Sequence, residues 1–179
     1  MRPMKPDPGI RVQTVRIPTE NGGVSALLLS PLTAPKNAAG ILWLHGGGYI
    51  AGMKEMVHAS RAIDLVKKFG VAVLSPGYRL ALKAPYPAAI DDCYAALLYL
   101  KAHAAAFGVR SDQLMVGGES AGVPAELDVY HSDMHAFDMM RPDDALSIQA
   151  AEAFNTRFAD AQARLFAPQH ETQEEHHDP

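Results

Sequence analysis

Two short patterns in this chain could carry acyl-transfer chemistry. The first is HGGGY, His45 to Tyr49, and the second is GESAG, Gly118 to Gly122. Consecutive glycines let backbone N–H groups face a cavity with no Cβ in the way, and such groups can stabilise an oxyanion. A flexible strand-to-helix loop would read similarly. A phosphate loop fits less well, because no Gly-Lys-Ser/Thr follows. GESAG matches the Gly-x-Ser-x-Gly elbow, whose flanking glycines allow the sharp turn that exposes Ser120 at the end of a strand. GESAG alone arises often by chance. In this order, each after a strand-like run, they reinforce one another.

Those residues need elements to hold them. RVQTVRI (Arg11 to Ile17) and VSALLLS (Val24 to Ser30) have strand composition around a Gly22-Gly23 turn signal. ILWLH (Ile41 to His45) reads as a buried strand leading into the glycines. Between Met56 and Phe69, the residues Ala59, Ala62, Ile63, Val66 and Phe69 recur at helical spacing, with Gly70 as a C-terminal cap. VAVLS (Val71 to Ser75) is again strand-like. Ile90, Cys93, Tyr94, Leu97 and Leu98 mark one face of a second helix, closed by Gly108, and QLMVGG is the strand entering the elbow. After Ser120, AELDVY reads as a strand, and a loop with His131 and His135 follows. The stretch from Asp144 to Phe166 forms a closing helix, with Leu146, Ile148, Ala151, Phe154 and Phe158 near one face. Alternating strands and helices predict an α/β fold, a mostly parallel sheet with helices on both faces. We expect a single shortened domain over 1–179, with an irregular lead-in at 1–10 and a polar tail at 167–179.

Composition narrows the field. The chain has 179 residues, 48% hydrophobic and 20% charged, with a formal net charge of −4, which gives no basic surface for nucleic acid. MRPMKPDPGI has no apolar run of secretory type, and no segment approaches the roughly 18 apolar residues that span a bilayer. Cys93 is the single cysteine, so no internal disulfide can form. A soluble, cytoplasmic protein is expected, without membrane or nucleic-acid partners and with no cofactor or metal. His58, His103, His170, His176 and His177 are assigned to the surface or the tail. The Glu/His-rich tail reads as solvated rather than as a metal site.

The sequence resembles the hormone-sensitive-lipase-like carboxylesterases of the α/β-hydrolase family. Beyond HGGGY and GESAG, the stretch SPGYRLALKAPYPAAIDDCYAAL is similar to the family's Tyr-Arg-Leu-Ala segment and Asp-containing helix. VPAELDVYHSDMHAFD is similar to its last strand and histidine loop. The resemblance implies that Ser120 is the nucleophile and His135 the general base, with His131 a weaker alternative. It implies an oxyanion hole from Gly47, Gly48 and the N–H of Ala121, with His45 bracing the glycine loop. The substrate implied is a small acyl ester in a fairly open site.

The resemblance also exposes a gap. In the family, a helix and two further strands with their helices follow the elbow, and a catalytic aspartate lies after the second strand. Here GESAG runs straight into VPAELDVY. Asp128, Asp133 and Asp138 lie nearby, but none stands at the family position. Losing the acid costs on the order of 10⁴-fold in kcat. Geometry adds a second obstacle: Ala121 to Pro124 reach at most about 13–14 Å, too short for a parallel crossover. A hairpin would carry His135 away from Ser120, so exchange of this segment between two copies is an alternative. Two readings follow: a shortened serine esterase, or an inactive hydrolase remnant that binds or self-associates, with a homodimer expected in either case.

Overall fold

The computed structural model describes residues 4–119 and 137–165. Five strands form one sheet: β1 (Ile10–Ile17), β2 (Val24–Pro31), β3 (Ala38–Leu44), β4 (Ala72–Pro76) and β5 (Val109–Gly118), in the order β1-β2-β4-β3-β5. β2 runs antiparallel to both its neighbours, while β4, β3 and β5 pair in parallel, so four of the five strands share one direction. The helices are α1 (Ala62–Phe69), α2 (Ala88–Ala102), α3 (Phe137–Met140) and α4 (Ala145–Leu165).

The central strands read as unbroken apolar runs because both faces of the sheet are covered. Side chains alternate across a strand, which sorts them into two cores. Leu27, Leu29, Ile41, Trp43 and Val73 meet α1 through Ala62, Ile63, Leu65 and Val66, and meet α4 through Phe158. Ala26, Leu28, Leu42 and Leu74 face the other way, onto Ala96 and Leu100 of α2. The expected α/β sheet with helices on both faces is therefore the fold adopted.

Four expectations need correction. The helix foreseen over 56–69 is two pieces, a 3₁₀ stretch at Lys54–Ala59 and then α1. Ser60 separates them: its hydroxyl donates to the Val57 carbonyl at 2.8 Å and accepts the Ala62 N–H at 3.1 Å. A serine that bonds its own backbone in this way interrupts the helical ladder. This same stretch buries His58, which the sequence had placed at the surface.

The buried face of α2 is not the one its apolar residues suggested. Ala88, Asp92, Ala96 and Leu100 turn inward, whereas Ile90, Tyr94 and Leu98 are exposed. The helix is apolar nearly all round, so periodicity could not choose a side. Burial of Asp92 decides it, because Arg79 holds that carboxylate with Nε and Nη2 and its own backbone N–H. On α4, Ile148 is likewise outward, Ser147 and Ala150 are buried, and Phe154 and Phe158 pack on the core that α1 covers.

Candidate active site

The site is set by the pairing of β3 and β5. Leu44, the last residue of β3, is in register with Gly118, the last of β5, and the Glu119 N–H donates to the Leu44 carbonyl at 3.3 Å. HGGGY and GESAG thus leave adjacent parallel strands side by side at their carboxyl ends. β3 leads to β4 on one side, and β4 then crosses to β5 on the other. Such switch points open a crevice beyond the strand ends.

Beyond β3 the chain turns sharply. Gly47 has φ +121, and a Cβ there would stand 2.1 Å from the Ala51 carbonyl oxygen, so no other residue fits. The Gly47 carbonyl accepts the N–H groups of Ile50 and Ala51, both at 3.1 Å, and closes the turn. Gly47 and Gly48 are exposed, and among the described residues neither amide donates a hydrogen bond. Two free N–H groups on a rigid turn can receive a developing negative charge.

A buried assembly fixes that turn from below. The His45 ring is 2% exposed and stacks on Tyr78, with centroids 4.0 Å apart and planes 7° from parallel. Its Nδ1 lies 2.9 Å from the Gly46 carbonyl, so the proton sits on Nδ1 and is donated there. The Tyr78 hydroxyl donates to the His45 carbonyl at 2.6 Å. Burial lowers the pKa of His45 and pushes that of Tyr78 up to about 12, so both are neutral donors at ordinary pH. These contacts match the bracing expected of His45. Tyr78, from the YRLA stretch, is the partner that sequence reasoning did not single out.

Ser120, Ala121, His131 and His135 lie outside the described residues, as do Asp128 and Asp133. Their flanks are described, and both meet at Arg61. The Arg61 N–H donates to Glu119 Oε1 at 3.4 Å, and its Nη2 pairs with Asp138 Oδ2 at 3.0 Å. The residue before Ser120 and the third residue after His135 therefore converge within one chain, at the carboxyl end of β5. The displacement to the far end of the sheet, foreseen for a hairpin, does not apply to these flanks. Nothing in the sequence pointed to Arg61. Asp138, one of three acids near the histidine, is engaged by that guanidinium. Among the described residues no group of three or more His, Cys, Asp or Glu could hold a metal ion.

Comparison with known proteins agrees with this geometry. Residues 41–132 match the family described as alpha/beta hydrolase fold. The chain belongs to that family, on its hormone-sensitive-lipase-like carboxylesterase branch. It is 32% identical to bovine hormone-sensitive lipase over 96 residues, which is 54% of this chain and 13% of the lipase. It is 33% identical to the acetyl esterase of Salmonella enteritidis over 116 residues, 64% of this chain and 35% of that enzyme. Among solved structures it is similar to a bacterial heroin esterase (31% identity, TM-score 0.59), covering 64% of this chain and 37% of the other. An esterase of Pyrobaculum calidifontis (31%, TM-score 0.57) covers 63% and 36%. The chain spans about a third of the length of these esterases and less of the lipase. Between β5 and α3 lie 18 residues, 119–136, too few for the helix and two helix-flanked strands that the family places after its elbow.

Proposed function

We propose that this chain is a carboxylesterase-type serine hydrolase acting on small acyl esters. Ser120 attacks the ester carbonyl and His135 takes its proton. The N–H groups of Gly47, Gly48 and Ala121 hold the oxyanion. Loss of the alcohol leaves an acyl-enzyme, which water hydrolyses to the carboxylic acid and free serine. The observation that carries this reading is the side-by-side exit of the two motifs from β3 and β5, with two exposed glycine amides that donate no hydrogen bond among the described residues.

Convergence of Glu119 and Asp138 on Arg61 supports a serine and histidine supplied by one chain. Exchange between subunits is then not required for them to meet. The rate should sit well below that of a complete triad, by about 10⁴-fold, because no acid stands at the family position. The protein functions as a homodimer with an open site, in the cytoplasm, where its single cysteine stays a thiol. No helix among the described residues is long and apolar enough to cross a membrane.

Hydrolysis of p-nitrophenyl acetate by the wild-type chain and by Ser120→Ala tests the proposal. The wild type should show slow hydrolysis that disappears in the variant. Equal rates in the two proteins would overturn it and favour a remnant that binds without turnover.

A further inference from the structure

We infer that the outer face of α2 is a self-association surface that pairs antiparallel with α2 of a second copy about a two-fold axis. This rests on the homodimer reading above and assigns the surface that makes it. On the side of α2 away from the sheet, Ile90 is 49% exposed, Tyr94 60% and Leu98 47%. Scattered exposed apolar residues are ordinary. Here they form a row on one helix face, opposite the inward Asp92, Ala96 and Leu100.

The ends of the row specify the partner. Asp91 and Lys101 are exposed and lie on the same outer side as Tyr94 and Leu98, at i, i+3, i+7 and i+10. The pattern is centred on the level of Ala96: Asp91 and Tyr94 precede it by five and two residues, and Lys101 and Leu98 follow it by five and two. An antiparallel copy rotated about that level sets Tyr94 against Leu98 of the second copy. It also sets Asp91 against Lys101 of the second copy, twice. An isologous interface requires such self-complementarity, with the same patch on both sides. From Asp91 to Lys101 the row runs about 15 Å along the helix, long enough for two turns of interlocking side chains. A lipid surface is a poorer match, because the row carries an acidic residue and the chain is net negative, −4.

Charge exchange tests this without removing any apolar side chain. The full chain is followed by analytical ultracentrifugation over a dilution series, with Asp91→Lys, Lys101→Asp, the double variant, and an equimolar mixture of the two single variants. Each single variant places like charges opposite one another and should weaken the dimer by at least about tenfold. The double variant should restore it, and the mixture should form a mixed dimer. Wild-type protein that stays monomeric throughout would overturn the inference together with the homodimer, whether or not it binds vesicles. A dimer indifferent to every exchange would overturn the α2 surface alone and leave a homodimer formed elsewhere. Catalysis is judged separately, by the Ser120→Ala comparison.

Discussion

At the scale of single residues, two buried histidines set how the protein answers to pH. His45 and His58 both have pKa values lowered from the ordinary 6.5, in each case first by burial, which disfavours the imidazolium. His45 Nε2 and His58 Nδ1 have no hydrogen-bond partner in the described structure, so neither ring is arranged to carry a charge. The unfolded chain therefore binds protons that the folded chain does not, over the range just below 6.5. Stability rises with pH wherever the unfolded state holds more protons. It should be fully present above that value and decline as the pH falls through it, before the carboxylates titrate. Thermal melts at a series of pH values from 8 to about 5 would show this as a falling Tm, and a flat profile would contradict it. The turn at HGGGY was legible because consecutive glycines follow a short buried strand. Burial of His58 was not, since a lone histidine in an apolar stretch carries no sign of which way it points.

The elements owe their placement to a few polar contacts within apolar packing. α2 is docked by Asp92, 1% exposed, which receives Arg79 along both oxygens, while Arg79 Nη2 also donates to the Ala88 carbonyl. Asp92→Ala would strand the guanidinium against the helix. It should cost roughly 3 kcal/mol, at the low end for such pairs because Arg79 reaches solvent. Urea denaturation should show a lower midpoint at unchanged slope, and a change below about 0.5 kcal/mol would rule out this docking role. The strands were readable from sequence because their apolar runs are short and bounded by Gly and Pro. The inward face of α2 was not, because its buried positions hold Ala and Asp while larger apolar residues point outward. For α1, a single serine hydroxyl outweighed the helical spacing on either side of it.

At the scale of the molecule, both faces of the sheet stay covered although the segment after the elbow is so short. α4 helps to cover the face that α1 packs against. Phe158 packs on Phe69 with centroids 5.0 Å apart, and Phe154 meets the Trp43 edge at 6.5 Å. The Arg61 guanidinium lies 5.8 Å from the Phe154 ring centroid and also binds Asp138, so α4, the start of α3 and the end of β5 share one anchor. Sequence alone left open whether the serine and histidine come from one chain or two, because linker length was the available measure and Arg61 carried no motif. We propose that Ser120 is an activated nucleophile, with His135 as its base. Intact-protein mass spectrometry after exposure to a fluorophosphonate tests this most directly, with Ser120→Ala and His135→Ala alongside. One adduct per chain is expected on Ser120, absent from the serine variant and slowed at least about a hundredfold in the histidine variant. A wild-type chain that takes up no adduct, or labels as fast without His135, would contradict it.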